Sequence, residues 1–354
     1  MKMILSRLLA VTVALLLCCI VPQAHQDQVR TLAADLQSRL SLPGIALAVG
    51  VQDKVAASVA LGWADVAAKR PVAADTQFRI GSVSKLLTAA TALRLVQAGV
   101  FDLDAPMIRY LPPIPEDKAA ITARQVLGHL AGFRHYGRDD FVSTVAHTNV
   151  DDVLPRLLAM PLLGAPGSKY SYSSYGFNVL GSALQGATKR EFRQLVSEQV
   201  TGPLGLTNTV PETSVTLGSR AKLYSKSNDT LVESSASDVT DRWPSGGFLS
   251  TAEDLVRFGV GFIRPAFLKP DIREAAFTSQ RGEDGKETNV GLAWRIGRDE
   301  MGRRYMHHGG DSIGGRAFLL VYPDQGVAVA IVSNVGQAAF GEKEAIAAAQ
   351  MFLR

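Results

Sequence analysis

The chain contains very little cysteine: of its 354 residues only Cys18 and Cys19 are cysteines, and both lie among the first 24 residues. That stretch has the features of a leader, so we expect a mature protein without a disulfide, a thiol nucleophile or a thiolate metal site. The six histidines include no His-Glu-x-x-His or similar closely spaced set. Catalytic zinc usually needs three protein ligands in such a spacing. The sequence therefore predicts no metal site and no cofactor.

A large net charge is also missing. The formal charge is +4, and removal of a leader that carries Lys2 and Arg7 would lower it by two. So small an excess gives no electrostatic basis for binding nucleic acid. We therefore expect no nucleic-acid partner, and the sequence leaves the oligomeric state open.

The apolar run at residues 8–21 is shorter than the roughly 20 residues that a membrane span needs. It follows Lys2 and Arg7 and precedes Pro22-Gln23-Ala24, which predicts a signal peptide over residues 1–24 and a mature domain over residues 25–354. The protein would then be exported, periplasmic or secreted, and without a stable membrane span. Because Pro22 stands where a small residue is preferred before a cut at Ala24, an uncleaved membrane anchor stays an alternative.

Strand patterns occur at both ends of the chain and helical patterns occupy its middle. The apolar runs at 45–51 and 55–62 flank the hairpin signal Gln52-Asp53-Lys54, and four more candidates lie at 290–296, 305–308, 317–322 and 327–333. Helical periodicity marks residues 26–40, 82–99, 122–130, 151–160, 175–186, 192–200 and 340–353, and 212–244 is loop-like. This order predicts an α/β (α+β) fold: one antiparallel sheet built from residues 25–80 and 250–354, flanked by helices, with a mostly helical inserted region at 81–249 and a cleft between them.

Ser82 and Lys85 stand three residues apart at the start of a strong helical pattern. Positions i and i+3 share one face of a helix, so the hydroxyl and the amine should lie side by side. Free N–H groups and the positive end of the helix dipole also point there, which suits a nucleophile whose proton the amine accepts or relays. The pattern recurs at Ser219 and Lys222 in a polar segment. Alone, it equally allows an N-capping serine with an exposed lysine.

Three later clusters carry further polar groups. Tyr172 lies in a hydroxyl-rich turn at residues 166–176. It would be a base only if its pKa dropped, because an ordinary phenol is ionised to roughly one part in a thousand at pH 7; a nearby cation such as Lys85 would lower that pKa. A Gly-rich bend at residues 243–250 precedes a helix. The third cluster lies between two strand candidates, and its glycines allow close approach to a ligand: His307-His308-Gly309-Gly310-Asp311.

In order and approximate spacing, three segments resemble the three motifs of serine β-lactamases and penicillin-binding proteins: residues 78–85, Tyr172-Ser173-Ser174 and His308-Gly309-Gly310. The pattern is most similar to the class C β-lactamase-related group, which also holds D-alanyl-D-alanine carboxypeptidases, D-aminopeptidases, esterases and the mitochondrial serine β-lactamase-like protein. Residues 127–136 resemble the last of these in particular. The similarity runs from about residue 28 to the C-terminus.

The resemblance implies a role for each matching residue. Ser82 would be the acyl-accepting nucleophile, Lys85 the amine that relays protons, and Tyr172 the general base that later protonates the leaving group. His308 would stand where the third motif usually has a lysine. The N–H groups of Ser82 and Asp311 would form the oxyanion hole, and the implied substrate-binding residues are Ser174, Gly309, Gly310 and Asp311.

Two positions depart from the family pattern. Ser174 replaces an asparagine and so lacks the amide donor toward a substrate carbonyl. His308 replaces a lysine and so lacks a fixed charge for a substrate carboxylate. Both changes weaken the case for penicillin hydrolysis and leave acyl transfer through Ser82 intact. Counting back from Gly314-Gly315 favours His308 over His307, whose side chain would then point to the opposite face of the strand.

We therefore expect an exported serine hydrolase that acts on an amide or ester acyl donor, either a small molecule or a peptide. A peptide, including one with a D-residue, is favoured over a β-lactam. The alternatives are an esterase, a true β-lactamase, and a non-catalytic penicillin-sensing or assembly module with the same fold. His129 and His135 are interpreted as structural residues of a loop near the cleft.

Overall fold

The computed structural model describes residues 23–213, 219–227 and 230–353. Its centre is a seven-stranded antiparallel sheet in the order β3-β2-β1-β12-β11-β10-β9. These strands are β1 (Gly44–Val51), β2 (Lys54–Asp65), β3 (Arg70–Pro71), β9 (Arg295–Arg298), β10 (Arg304–Ser312), β11 (Gly315–Tyr322) and β12 (Val327–Ser333). Two small sheets are formed by β4 (Phe78–Arg79), β5 (Val210–Pro211) and β8 (Phe248–Ser250), and by β6 (Tyr224–Ser227) and β7 (Thr230–Glu233).

The two ends of the chain meet inside the large sheet. β1 pairs with β2 across a tight turn at Gln52, whose φ is 56°, and on its other edge pairs with β12 in a register that sets Leu47 opposite Ile331. Alternate residues of β1 point to opposite faces, and both faces are buried. The predicted antiparallel sheet, built from both chain ends, is confirmed, and two small sheets that were not predicted accompany it.

Helices cover both faces of the sheet. The helix over residues 23–39 (α1) and α11 (Glu342–Gln350) pack on one face, where Val29, Leu320 and Ile331 belong to one hydrophobic cluster. The remaining helices are α2 (Ser84–Gln97), α3 (Ala123–Leu127), α4 (Arg138–Phe141), α5 (Leu154–Ala159), α6 (Tyr175–Thr188), α7 (Phe192–Val196), α8 (Trp243–Gly246), α9 (Ala252–Phe262) and α10 (Pro270–Ala276). A larger hydrophobic cluster on the other face joins the sheet to α9 and to the helical region around α2.

Three local predictions need correction. The segment 212–244 is not wholly loop-like, because β6 and β7 form a small hairpin within it. The strand expected at 290–296 is confined to β9, since Ala293 has a φ of 70° and the chain turns before Arg295. The helix expected at 122–130 ends at Leu127, although Thr122 caps it as expected, its hydroxyl accepting from Gln125 N–H.

Most of the predicted signal peptide, residues 1–22, lies outside the described residues. Residues 23 and 24 belong to α1. Among the residues that the structure describes, no helix is both long and apolar enough to cross a bilayer.

Candidate active site

Ser82 lies in a short 3₁₀ turn, Gly81–Val83, that leads directly into α2. β4 immediately precedes this turn in the chain. The N–H of Ile80, between them, donates to the carbonyl of Phe248 in β8 at 3.2 Å. Gly81 has a φ of 48°, a left-handed conformation that glycine adopts at little cost. Gly81 and Val83 are buried, whereas Ser82 is partly exposed and lines a cavity. The turn therefore presents one hydroxyl from an otherwise buried segment.

Lys85 is completely buried one turn after Ser82. Its Nζ donates to Ser174 Oγ at 2.9 Å and to the Ser245 carbonyl at 2.7 Å, and it lies 3.0 Å from Ser82 Oγ. Burial, and secondarily the nearby Arg295 guanidinium, holds the pKa of this amine well below its usual value. A buried charged amine is costly, so the environment favours the neutral form. Lys85 is thus an amine in contact with the hydroxyl whose proton it could accept.

Ser174 lies just before α6 and is fully buried. Its hydroxyl accepts from Lys85, and its side chain is not among those that line the cavity around Ser82. The structure therefore places Ser174 against the lysine, and its expected contact with substrate stays a prediction.

Tyr172 is surrounded by cations and aromatic rings. Lys85 Nζ lies 5.1 Å and the Arg295 guanidinium carbon 5.6 Å from the ring centre, and the His129 ring centre is 4.4 Å away. Burial nevertheless raises the pKa of Tyr172 to about 12, against the opposing effects of the Ser82 hydroxyl and Arg295. The drop in pKa that a base requires is absent in this state. The phenol is protonated, which suits it to donate a proton.

His308 and His307 point to opposite faces of β10. His308 is buried on the Tyr172 side, with 6.3 Å between the two ring centres, and its Nδ1 contacts the Gly309 carbonyl at 2.6 Å. His307 stacks on Phe318 of the other hydrophobic cluster. Burial, with smaller effects from nearby cations, holds the pKa of His308 well below its usual value. This imidazole therefore does not supply the positive charge that a lysine in the third motif would carry.

The far end of β10 lies against the Ser82 turn. β9 pairs with β10 only at residues 304–307, and beyond them the backbone of β10 approaches the turn closely. A Cβ on Gly310 would lie 1.9 Å from the Ile80 carbonyl oxygen and 2.9 Å from Ser82 N, while one on Gly81 would lie 2.7 Å from Asp311 N. Only glycines allow this approach. It brings the backbone nitrogens of Ser82 and Asp311, the two expected oxyanion donors, to neighbouring positions.

A cavity of about 230 Å³ opens at this junction. Ser82, Tyr172, Gly309 and Asp311 line it, as do several residues that the motifs did not indicate: His135, Tyr136, Phe141, Val239, Arg242, Ser245, Gly246, Ser312 and Arg316.

The cavity's charged and titratable lining groups are largely neutralised. Arg242 is ion-paired with Asp241 at 2.5 Å and Arg316 with Asp311 at 2.7 Å. Burial, and secondarily Lys85, lowers the pKa of His135 to about 4. The site can therefore activate a hydroxyl, but its walls offer little free positive charge.

Two contributors to the site were not identified from sequence. The Ser245 carbonyl accepts from Lys85, and its hydroxyl donates to Asn178 Oδ1 at 2.6 Å. The Gly-rich bend at 243–250 was the available signal for it. Arg295 stacks over Tyr172 from β9. Nothing in its spacing relates it to the motifs, because strand pairing alone brings it there.

His129 has the structural role that the sequence suggested. It is buried with a φ of 57°, and its Nδ1 accepts from Ser173 N–H at 3.2 Å, beside the ring of Tyr172. It thereby fixes the turn that carries the tyrosine. Over the described ranges, no group of three or more His, Cys, Asp or Glu side chains is arranged to hold a metal ion.

Comparison with known proteins agrees with this geometry. The chain is 25% identical to the serine beta-lactamase-like protein LACTB, mitochondrial, of Bos taurus, over 87% of this chain and 74% of the relative. It is 34% identical to the esterase EstB of Burkholderia gladioli, over 42% of this chain and 41% of the relative.

Among solved structures, the octameric penicillin-binding protein homologue from Pyrococcus abyssi superimposes with a TM-score of 0.79 at 19% identity, over 92% of this chain and 77% of that one. This likeness shows a shared fold. The Beta-lactamase family model matches residues 29–351, nearly the whole described chain. The resemblance inferred from the three motifs is thus confirmed, and the protein belongs to the beta-lactamase family, whose members include serine hydrolases.

Proposed function

We propose that this protein hydrolyses acyl donors through a covalent acyl-enzyme on Ser82. One observation carries the proposal: the buried Lys85 Nζ lies within hydrogen-bond distance of Ser82 Oγ, at 3.0 Å, and the pKa of the amine is held well below the usual value. A hydroxyl nucleophile needs an adjacent base that is unprotonated at working pH. A buried lysine with a lowered pKa meets that need.

In the proposed acylation, Ser82 Oγ attacks the carbonyl carbon and Lys85 takes the hydroxyl proton. The carbonyl oxygen, now an oxyanion, accepts from the Ser82 and Asp311 N–H groups. Collapse of the tetrahedral adduct breaks the bond to the leaving group, to which Tyr172 gives its phenolic proton. Lys85 returns a proton to Tyr172. Water then attacks the acyl carbon, releases the acid and restores the Ser82 hydroxyl.

The charge around the cavity favours a neutral acyl donor. Arg242 and Arg316 are ion-paired, the pKa of His308 is lowered by burial, and Arg295 lies over the Tyr172 ring without lining the cavity, so a substrate carboxylate would find little compensation from the cavity walls. β-Lactams and C-terminal peptides carry such a carboxylate. As substrates, the proposal therefore favours esters and internal amides over the peptide with a D-residue that the sequence favoured. The similarity to EstB supports an ester in particular.

Export through the leader at residues 1–24 remains part of the proposal. Its basis is the basic start and the apolar run of the sequence. The similar LACTB protein is named mitochondrial. Mass spectrometry of the protein purified from its own cells tests export, because it shows whether the mature chain begins at residue 25.

The purified protein and its Ser82→Ala variant should be compared on p-nitrophenyl acetate, nitrocefin and a D-alanyl-D-alanine peptide. We expect turnover of the ester to exceed that of the two carboxylate-bearing substrates, and all of it to vanish in Ser82→Ala. A folded protein that turns over none of the three would instead favour the non-catalytic module.

A further inference from the structure

We propose that a second cavity, next to the catalytic one, binds the uncharged hydrocarbon chain of the substrate's acyl group. The inference rests on the proposed hydrolase function and names the substrate class. The cavity measures about 610 Å³, against about 230 Å³ at Ser82. We call it the acyl groove. Its apolar lining consists of Leu40, Leu42, Phe141, Val142, Ile313, Val335, Ala338 and Ala339.

The acyl groove adjoins the catalytic cavity. Phe141, Asp311 and Ser312 line both. Phe141 is held by ring contacts with Tyr136 and His135, at 5.5 Å and 6.3 Å between ring centres. In the proposal, a chain attached to a carbonyl at Ser82 passes these shared residues to enter the groove.

The charged groups that border the groove are already engaged. Asp311 pairs with Arg316, and Lys226 Nζ donates to the Leu40 carbonyl at 2.6 Å. Among the other lining side chains the apolar ones outnumber the polar Ser225, Ser312 and Gln337, and one of the apolar ones, Val142, is 55% exposed to solvent. An exposed apolar surface inside a concavity gains free energy when a hydrocarbon covers it.

The position of the groove identifies the acyl side of the substrate. The groove follows β10 beyond Asp311, whose N–H would hold the carbonyl oxygen, through Ile313. Tyr172, the donor to the leaving group, lines the catalytic cavity but not the groove. The leaving group thus departs toward Tyr172, and the acyl chain extends the other way.

Two ester series test the proposal: p-nitrophenyl esters from acetate to octanoate, and acetate esters of alcohols of increasing length. We expect kcat/KM to rise about three- to fourfold per methylene in the acyl series, the gain for burying one CH₂, and to stay flat in the alcohol series. A flat acyl series, or a rise confined to the alcohols, overturns the groove. Without Ser82-dependent turnover of any ester the hydrolase function itself fails, and the groove with it.

A pair of matched variants adds a control. Val142 lines the groove and Val145, three residues away and 62% exposed, does not. Val142→Asp should lower the octanoate-to-acetate ratio of kcat/KM by about tenfold, because the carboxylate would lose hydration beside the chain. Val145→Asp should leave both esters unchanged. Equal ratios in the two variants, with unchanged melting temperatures, would contradict the proposal.

Discussion

Three hydrogen bonds hold the side chain of Lys85, which is completely buried. A protonated amine there would lose its hydration, so the fold itself sets the protonation state of the proposed base. The exposed Lys222 of the second Ser-x-x-Lys pairs with Glu233 and has no such environment. Burial, rather than the sequence pattern, distinguishes the two copies.

The first test at this scale is the pH dependence of ester turnover. Because the pKa of Lys85 is lowered, the amine is neutral above that pKa and becomes protonated as pH falls through it. We expect kcat/KM for p-nitrophenyl acetate to fall on that acidic side. Lys85→Met should reduce kcat/KM by roughly 10²–10⁴ and Lys85→Arg should not restore it, since guanidinium stays charged. The control Lys222→Met should match the wild type, and a wild-type acidic limb retained by Lys85→Met would contradict the role.

Tyr172 gives a second test through the leaving group. Burial raises its pKa to about 12, so it should act as an acid. Tyr172→Phe should slow hydrolysis of alkyl esters by roughly 10²–10⁴. p-Nitrophenyl esters, whose leaving group departs without a proton, should lose much less. Equal losses in stopped-flow and steady-state assays of both ester types would argue that the phenol positions the substrate only.

At this scale the sequence predicted which side chains lie together better than it predicted their protonation states. The Ser82–Lys85 pair follows from helix geometry, and three motifs in order indicated Tyr172 and His308. The pKa values of these groups could not be predicted, because the segments that bury them come from distant parts of the chain. Arg295 shows the limit most clearly, since it reaches Tyr172 only through the pairing of β9 with β10.

Among the elements, β10 does two things at once. Its first half pairs with β9 and its second half lies against the Ser82 turn. The sequence predicted a strand over 305–308 followed by glycines, whereas the strand continues through those glycines to Ser312. Along the second half of β10, the Ser82 turn lies where β9 lies along the first half.

Gly310→Ala tests this contact. The new Cβ would lie 1.9 Å from the Ile80 carbonyl oxygen, so strand and turn must separate. We expect a loss of about 1–3 kcal/mol in unfolding free energy and of roughly 10² in kcat/KM, as a 1 Å misplacement of reacting groups can cause. Gly164→Ala is the control, because its Cβ would meet nothing closer than 3.5 Å. Denaturant titration and ester kinetics measure both; wild-type turnover in Gly310→Ala would contradict the account.

Across the whole molecule, Arg79 connects the parts that form the cleft. It lies in β4, three residues before Ser82, and is 2% exposed. Its guanidinium binds Glu212 at 2.7 and 2.9 Å, the Ser237 hydroxyl at 2.7 Å and the Ile313 carbonyl at 3.2 Å. One buried charge therefore joins three segments: the chain at Glu212, the segment before α8 at Ser237 and the β10–β11 turn at Ile313.

Glu212→Gln should reveal the importance of that junction. It leaves the buried Arg79 charge without a carboxylate, and we expect the unfolding free energy to fall by about 3–5 kcal/mol. Asp104→Asn breaks the Arg124–Asp104 pair, which is largely exposed, and should cost less than about 1 kcal/mol. Urea unfolding of both variants measures the difference. Equal, small losses would show that the buried pair does not join these segments.

The overall architecture was the part best predicted from sequence. Strand runs at both ends with helices between them determine an antiparallel sheet with a helical insertion, and the β1–β12 pairing joins the ends as expected. The β6–β7 hairpin was missed because its strands are short and mostly polar. The buried Arg79–Glu212 pair was also missed, since no spacing relates residues that far apart.

The most direct measurement of the central claim is mass spectrometry of the folded protein after reaction with a fluorophosphonate. The account predicts one adduct per chain, on the peptide that contains Ser82, and none in Ser82→Ala. Lys85→Met should label much more slowly. A folded wild-type protein that stays unmodified, or that carries its adduct on another serine, would contradict the claim that Ser82 is the nucleophile.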